Sequence, residues 1–479
     1  MSQPTATAFL TACFLLLAGC AAPGDSSRPA ARAAQPAATT AATPTNHVVL
    51  ITIDGFAAYL LDDPQLSAPT IRQLIAEGTV AEGLRVANPT VTWPNHTTLI
   101  TGVRADKHSV LFNGVLQRPG PGKPVKVEPN SDRAALIAVP TLFDVLHEAG
   151  RGTAAINWPC TRNDPAVDDN FPDVPEQVKH TTPRLVQGLV ADGALPDATD
   201  QSFRALGSVR RDEAWTAATV RVIRDAKPAF LAFHILNVDG IHHAHGPRTA
   251  PGYTALALAD AKVRQVLDAL DQAGIRDRTT IFVTADHGFA RATKLILPNV
   301  VFRQNELLTA GAAASAVVAA KAQAIPEGGT ALVYLTDPAT RADDRRKVIE
   351  LMTATEGIAD VIPPARFGEL GFPLPADNPQ APDLVLVGKD GYAFANYTTG
   401  DAALIAPIPG RHSVGHHGYL STDPKMNALF VAAGHRIPRG RKVGLIDNVD
   451  VAPTVAALLN ASLPTADGKP LTQLLTPEK

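Results

Sequence analysis

The stretch Val48-Val-Leu-Ile-Thr-Ile-Asp-Gly55 is a run of apolar and β-branched residues that ends in an acid and a glycine. A run of this kind is typical of a strand buried on both faces, as in a parallel sheet. Two later runs end similarly: Ala229–Leu236 is followed by Asp239 and His243, and Thr280–Thr284 by Asp286 and His287. Because the carboxyl ends of parallel strands meet at one edge of an open α/β sheet, the pattern predicts that these side chains converge.

Strand-like runs and helical patterns alternate from residue 47 onward. The spacing predicts helices over Ala68–Glu77, Pro140–Ala149, Arg211–Ala226 and Ala255–Ala273, and further strands over Thr153–Trp158 and Ala229–Val238. This alternation predicts an α/β fold with a doubly wound, mostly parallel sheet flanked by helices. We expect one catalytic domain over residues 47–479.

The regular alternation stops after Gly288. The following residues include an Ala-rich stretch, Ala310–Ala324, a short strand-like run and a segment dense in proline and glycine. We therefore expect a smaller lid inserted at about residues 294–382. Its aromatic residues Phe302, Tyr334, Phe367 and Phe372 are the candidates for contacting a substrate's leaving group.

Composition limits the class of partner. The chain has 479 residues, of which 45% are hydrophobic and 19% charged, as in ordinary globular proteins. The net charge is −3 and the 43 lysines and arginines are scattered, so we expect no binding to nucleic-acid polymers. A phosphate-bearing partner would have to be a small molecule held by a local site.

The first residues resemble an export signal. A short apolar segment ends in Leu17-Ala-Gly-Cys20, which resembles the lipobox of bacterial lipoproteins, although no Lys or Arg lies in residues 1–10. This predicts a signal peptide over residues 1–19, lipid on Cys20 and a disordered tether over residues 20–46, rich in Ala, Pro and Thr. The protein would then be exported and anchored to the bacterial envelope, with its catalytic domain in the periplasm. A plain secretory signal is the alternative.

Acids and imidazoles at the strand ends have the donor chemistry of a metal site. Carboxylate and imidazole without thiolate suit zinc, manganese or iron, and the number of such residues allows two neighbouring ions. Taken singly, Asp54-Gly55 is better explained by a turn, and His416-His417 by an exposed pair. Their joint occurrence at several strand ends favours the metal site.

Thr92 precedes what reads as the start of a buried helix, in Thr92-Trp-Pro-Asn-His96. A threonine hydroxyl is a weak nucleophile unless a bound cation stabilises its alkoxide, and a helix N-terminus favours anions. The competing interpretation is an ordinary helix cap, since proline is tolerated in the first turn.

Together these motifs resemble the alkaline phosphatase superfamily, and within it the type I phosphodiesterase and nucleotide pyrophosphatase group. The resemblance covers nearly all of residues 47–460. It rests on the motifs around Asp54, on Thr92-Trp-Pro-Asn-His96, on His108-Ser-Val-Leu-Phe-Asn113, on Asp239-Gly-Ile-His-His-Ala-His-Gly-Pro247, on Asp286-His-Gly288 and on Gly415-His-His-Gly-Tyr419. Ser109 and His242 stand where the family usually has glycine.

The resemblance implies two zinc ions. One would be held by Asp239, His243 and His417, and the other by Asp54, Asp286, His287 and the Thr92 oxygen. Thr92 would attack phosphorus to give a phosphothreonine that water hydrolyses, and Asn113 would contact a phosphoryl oxygen. The motifs select His417 over His416 and leave His96, His242 and His245 without a ligand role.

Three alternatives remain at this point. Within the superfamily the chain could be a phosphomonoesterase or a phosphonate hydrolase, which in relatives need extra basic residues near the phosphate. Arg162 is the basic residue near the relevant segment, and we expect no catalytic role for it. From another class, the chain could be a catalytically inactive, metal-binding surface lipoprotein, although such a site needs neither Thr92 nor Asn113.

Overall fold

The computed structural model describes residues 46–476. The predicted signal peptide, Cys20 and residues 20–45 of the predicted tether lie outside this range. Within it, no helix combines the length and the apolar composition that crossing a membrane requires.

Twelve strands form the two main sheets. In chain order they are β1 (His47–Ile53), β2 (Thr79–Ala81), β3 (Thr153–Pro159), β4 (Asp169–Asp173), β5 (Phe230–Ile235), β6 (Thr279–Thr284), β7 (Ala322–Pro326), β8 (Thr330–Leu335), β9 (Ile358–Ile362), β10 (Leu384–Gly388), β11 (Phe430–Gly434) and β12 (Arg441–Val443). Shorter strands lie at Leu84–Arg85, Val115–Gln117, Lys126–Glu128, Ala290–Arg291, Lys294–Ile296, Leu308–Ala310, Val317–Ala320, Tyr392–Phe394, Leu404–Ile405, Gly415–His416 and Ile446–Asp447.

The α-helices follow the same alternation. They are α1 (Pro69–Glu77), α2 (Thr92–Thr101), α3 (Ala105–His108), α4 (Arg133–Leu136), α5 (Leu142–Glu148), α6 (Pro183–Ala191), α7 (Asp200–Ala205), α8 (Ser208–Asp225), α9 (Asn237–His245), α10 (Ala250–Gln272), α11 (Pro298–Gln304), α12 (Arg341–Thr353), α13 (Phe367–Leu370) and α14 (Val451–Leu458).

The central sheet has eight strands in the order β12-β2-β11-β6-β1-β5-β3-β4. All pairings are parallel except the two made by β11, which runs against its neighbours β6 and β2. Every residue of β1, β3, β5 and β6 is buried, as expected when helices cover both faces. The mixed α/β fold with a mostly parallel sheet is therefore confirmed.

The sheet order places three site-bearing strands side by side. β1 lies between β6 and β5, with Ile51 opposite Val283 on one side and Phe233 on the other. Since the three strands are parallel, their carboxyl ends lie at one edge. The residues that follow them are those singled out by the sequence.

One predicted element is wrong in its local structure. The strand expected over Ala229–Val238 ends at Ile235, and a helix, α9, begins at Asn237. The glycine-containing segment after this strand, expected to be a flexible loop, is therefore helical. Tertiary packing of α9 against α10 overrides the helix-weakening effect of Gly240.

The inserted lid has a sheet and apolar cores of its own. Four antiparallel strands pair in the order β7-β8-β10-β9. The sheet includes β10, so the insertion extends past residue 382, where we expected it to end. Eight of the fifteen residues of the Ala-rich stretch lie in strands, because small side chains do not prevent backbone pairing.

The four lid aromatics are core residues. Phe302, Tyr334 and Phe367 are fully buried and Phe372 is 2% exposed. Phe302 packs in a cluster of lid residues, and the other three pack in a cluster that also includes residues between Ala105 and Val125, outside the lid. As buried core residues, these rings are not available to contact a leaving group, so the four candidates are not supported.

Candidate metal and catalytic site

The carboxylates and imidazoles predicted from the strand ends meet at the carboxyl edge of the central sheet. Asp54 directly follows β1, and Asp286 and His287 follow β6. His287 Nε2 lies 3.2 Å from Asp54 Oδ1 and 3.4 Å from Asp286 Oδ2. These three residues are buried and form one group whose donor atoms are close enough to share an ion.

Asp239 and His243 lie one helical turn apart on α9, so both project from the same side of the helix. Asp239 Oδ1 is 3.3 Å from His243 Nε2 and 3.7 Å from His417 Nε2. The side chains of Asp239 and His243 thus converge because of their spacing on a helix, and not because they lie on a flexible loop. Asp239, His417 and His287 form the second group of close donor atoms, which shares His287 with the first.

Each of the three imidazoles is held through its Nδ1 atom. His243 Nδ1–H donates to the carbonyl of Gly415 at 2.9 Å, and His417 Nδ1–H to that of Thr90 at 3.0 Å. His287 Nδ1 lies 3.1 Å from the carbonyl of Gly288. A carbonyl only accepts, so these contacts place the hydrogen on Nδ1 and leave Nε2 free, as in metal-binding histidines.

Several buried polar atoms at this edge have no hydrogen-bond partner among the described residues. They include both carboxylate oxygens of Asp54, Oδ1 of Asp239, Oδ2 of Asp286, and Nε2 of His234 and of His287. Leaving such atoms unpaired in the interior is costly unless a cation satisfies them. The carboxylate oxygens and imidazole nitrogens of the proposed ligands are 3.2–3.7 Å apart, near the roughly 3.3 Å expected between donors around a tetrahedral ion with bonds of about 2.0 Å. The residues present fit zinc.

Electrostatics lead to the same conclusion. Burial raises the pKa of Asp54 well above its usual value, and nearby Asp286 and Asp239 raise it further. Burial would also raise the pKa of Asp239, but His243 and His417 lower it overall. Burial lowers the pKa of His287 to about 4. Burial also lowers the pKa of His417, whereas Asp239 raises that of His243 despite its burial. A divalent cation would stabilise the ionised form of the buried carboxylates in this site.

Thr92 is the first residue of α2, and Val91 rather than Thr92 is the N-cap. The hydroxyl of Thr92 therefore does not cap the helix, and the residue is buried, with 7% exposure. The backbone of Thr90 bonds both His417 and the amide of Gly418. These bonds tie the turn that carries Thr92 to the loop that carries His417.

Asn113 lies in the loop after α3 and is exposed. Its side-chain Oδ1 accepts a hydrogen bond from the backbone N–H of Trp93 at 3.0 Å. This bond aligns Asn113 beside the first turn of α2 and leaves its amide hydrogens free to donate. The structure thus places the two residues expected to handle the phosphoryl group next to each other.

The other histidines occupy different environments. His245 is exposed. The ring of His416 packs edge-on to that of His243, but its Nε2 lies 3.1 Å from the carbonyl of Ser413. His242 is fully buried, with its ring edge-on to Phe289. His96 is fully buried; its Nδ1–H donates to the carbonyl of Thr92 at 2.8 Å and lies 3.7 Å from Asp286 Oδ2.

Sequence reasoning missed three residues beside the site. Thr52 and His234 lie opposite each other on β1 and β5, and His234 Nε2 is 3.2 Å from Asp54 Oδ2. Asp173 accepts a hydrogen bond from Trp93 Nε1 at 3.0 Å. For Thr52 and His234 the available signal was a polar residue within an otherwise apolar strand, which elsewhere is often only a satisfied core residue. Asp173 ends a strand that contains other polar residues, so it carried no such signal.

The guanidinium of Arg162 is bound by polar side chains of a neighbouring loop. Its Nε lies 2.7 Å from Asp132 Oδ1, and its guanidinium also donates to the side chain of Asn130. These partners lie on the loop before α4. The guanidinium is therefore held in place by Asp132 and Asn130.

Curated relatives share the sequence pattern. Ectonucleotide pyrophosphatase/phosphodiesterase family member 3 from Mus musculus is 24% identical over 244 residues, which is 50% of this chain and 24% of the relative. The chain thus spans about a quarter of that protein. Bis(5'-adenosyl)-triphosphatase enpp4 from Mus musculus is 21% identical over 420 residues, covering 86% of this chain and 77% of the relative.

Solved structures share the fold. Human ectonucleotide pyrophosphatase/phosphodiesterase 5 superposes with a TM-score of 0.66 at 18% identity, covering 90% of this chain and 100% of the other. The murine protein, solved as an inactive variant in complex with AMP, gives a TM-score of 0.66 at 17% identity over the same shares. The family model described as type I phosphodiesterase / nucleotide pyrophosphatase matches residues 48–420. The chain belongs to the type I phosphodiesterase and nucleotide pyrophosphatase family.

Proposed function

We propose that the protein is a metal-dependent hydrolase that cleaves phosphodiester or pyrophosphate bonds in small substrates through a phosphothreonine intermediate on Thr92. The observation that carries the proposal is the pair of overlapping donor groups, which share His287 and adjoin the turn that carries Thr92. Phosphodiesterases and nucleotide pyrophosphatases among the relatives support the substrate class.

Two zinc ions are the proposed cofactors. Asp239, His243 and His417 would hold one, and Asp54, Asp286, His287 and the Thr92 oxygen the other. When bound, the ions would lower the cost of the Thr92 alkoxide and neutralise charge on the phosphoryl group.

The chain's own residues have defined parts in the proposed reaction. The Thr92 oxygen attacks phosphorus as the ester oxygen leaves, and water then cleaves the phosphothreonine and regenerates the hydroxyl. Asn113 donates from its amide to a phosphoryl oxygen, because its own carbonyl is occupied by the Trp93 N–H. The inactive variant of the murine relative carries a threonine-to-alanine substitution, which is consistent with a threonine nucleophile.

A diester is favoured over a monoester on electrostatic grounds. A monoester dianion carries one more negative charge than a diester and needs an additional cationic partner. Arg162, the basic residue expected near the site, is paired with Asp132. A phosphomonoesterase or phosphonate hydrolase remains the second candidate within the superfamily.

The test is a comparison of kcat/KM for nitrophenyl phosphodiesters, nitrophenyl phosphate, phosphonate esters and nucleotide substrates, with purified protein loaded with zinc. We expect diesters or pyrophosphates to be the best substrates. A strong preference for the monoester would reassign the protein to the second candidate. Absence of turnover with every substrate, despite bound zinc, would support the inactive lipoprotein.

We also propose that the protein is exported and anchored to the bacterial envelope by lipid on Cys20, with its catalytic domain in the periplasm. Leu17-Ala-Gly-Cys20 and the apolar segment before it support this. Labelling with a clickable fatty acid, compared between wild type and Cys20→Ser, tests the anchor. A protein that remains labelled after this substitution would contradict the assignment.

A further inference from the structure

We infer that His234 is a positioning residue for Asp54, an inference that rests on the proposed function of the site. His234 lies in the middle of β5 and is fully buried. Its partner in the adjacent strand is Thr52, two residues before Asp54. Residues opposite each other in a parallel pair project to the same face, so both reach the space under α2.

The ring of His234 is fixed in orientation. Its Nδ1 lies 2.9 Å from Thr52 Oγ1 and 3.1 Å from His96 Nε2. The ring also packs edge-on against that of His96, with centroids 4.3 Å apart and an interplanar angle of 74°. A buried ring with this many contacts has one available rotamer, so its second nitrogen has a fixed direction.

That second nitrogen is aimed at Asp54. His234 Nε2 lies 3.2 Å from Asp54 Oδ2, and neither atom has another hydrogen-bond partner among the described residues. The other oxygen of Asp54, Oδ1, lies 3.2 Å from His287 Nε2. One carboxylate oxygen thus faces the proposed ion, while the other faces His234.

The direction of the contact follows from the neighbouring hydroxyl. Thr52 has one hydrogen for two imidazole neighbours, at 2.9 Å each. We assign it to His234 Nδ1, because Nε2–H then donates to Asp54, although His96 Nε2 is left without a donor. The opposite assignment satisfies His96 Nε2 but sets a nitrogen lone pair against a buried carboxylate oxygen, which costs more because the oxygen is charged. His96 keeps its bond to the Thr92 carbonyl in either assignment.

His234 therefore restricts rotation of Asp54. Its partners Thr52 and His96 extend the contact to the backbone of Thr92. The row from Asp54 through His234, Thr52 and His96 to Thr92 connects a ligand carboxylate to the turn that bears the proposed nucleophile. His234 does not touch the substrate; it acts through Asp54.

The experiment measures zinc affinity by chelator competition in the full chain, together with kcat and KM, for three variants. His234→Phe removes the polar contacts of both ring nitrogens. His234→Asn keeps a polar atom only at the Nδ1 position and so loses the contact with Asp54. We expect each to weaken zinc binding and to lower kcat by about 10- to 100-fold, with KM little changed. His234→Gln, whose amide can donate from the Nε2 position, should recover most of both.

His47→Phe is the matched control. His47 is also a buried histidine in the central sheet, with Nδ1–H donating to the Pro228 carbonyl at 2.8 Å, but it begins β1 whereas Asp54 follows the end. We expect its zinc affinity to equal that of wild type even if its thermal stability falls. Equal zinc affinity for wild type, His234→Phe and His234→Asn would overturn the inference. Failure of wild type itself to bind zinc would instead refute the proposed function.

Discussion

His287 and His417 stack face to face, with ring centroids 3.7 Å apart and an interplanar angle of 13°. One follows a central strand of the sheet and the other comes from the loop that returns from the lid. Their contact brings the donor group of Asp54 and Asp286 against that of Asp239. The two proposed ions are therefore neighbours, which is the arrangement required to act on one phosphoryl group.

Replacing Thr92 by alanine should abolish turnover of a nitrophenyl phosphodiester, with kcat reduced by about 10³-fold or more. The reason is that no other hydroxyl begins α2, while the carboxylates and imidazoles of the site remain. Zinc content should stay close to that of wild type. Thr92→Ser, which restores a hydroxyl, should recover part of the rate; wild-type turnover by Thr92→Ala would refute the mechanism.

Neighbouring histidines give a matched pair for the metal assignment. His417→Gln should reduce zinc from two ions to about one per chain, measured by mass spectrometry of the metal, because Nε2 of His417 faces Asp239. His416→Gln should retain both ions, since its Nε2 is directed to the Ser413 carbonyl. Loss of zinc from His416→Gln but not from His417→Gln would reverse the assignment.

Asn113→Ala should lower kcat for the diester by about 10²- to 10³-fold, as expected for removal of one transition-state donor. Asn113→Asp should be at least as slow, because it keeps the acceptor for the Trp93 N–H but replaces the donating amide with a negative oxygen. Asn130→Ala, on a nearby loop, serves as the control. Unchanged kcat in both Asn113 variants would remove this residue from the mechanism.

Contact between the lid and the His417 loop is tested by two glycines with positive φ. A Cβ on Gly418, at φ +74°, would lie 1.5 Å from the Glu327 carbonyl oxygen, whereas one on Gly410, at φ +79°, would meet nothing within 4 Å. Both alanine variants bear a similar backbone cost of about 1–2 kcal/mol. Gly418→Ala should also lose activity and more thermal stability; equal effects in the two variants would contradict the contact.

Stability should fall in acid partly through His108. Burial lowers the pKa of this imidazole from 6.5 to about 3 in the folded chain. Its contribution is therefore complete above pH 6.5 and is lost as pH falls toward 3, by about 1.4 kcal/mol per pH unit.

His108→Asn should lack this dependence. The difference in unfolding free energy between it and wild type should thus shrink from pH 7 to pH 5, as measured by urea denaturation. Taking the difference between the two chains cancels acid effects that they share, including loss of metal. A difference independent of pH would show that the imidazole is accessible to protons in the native state.

Local sequence determined which side chains follow which strands. The apolar runs before Asp54 and Asp286 are long enough and rich enough in β-branched residues to predict buried parallel strands. Since parallel strands end at the same edge of a sheet, the acids that follow them lie at that edge. That inference requires only the extended geometry of each strand and the parallel pairing between strands. It anticipated the fold and the residues that the structure brings together.

Tertiary structure decided what these residues contact. Helix α9 packs against α10, and its helical geometry sets Asp239 and His243 one turn apart. His287 stacks on His417, and His234 reaches Asp54, across strands and loops distant in sequence, so no local pattern encodes either contact. The same reason explains the lid aromatics: burial depends on how the insertion folds, which spacing along the chain does not specify.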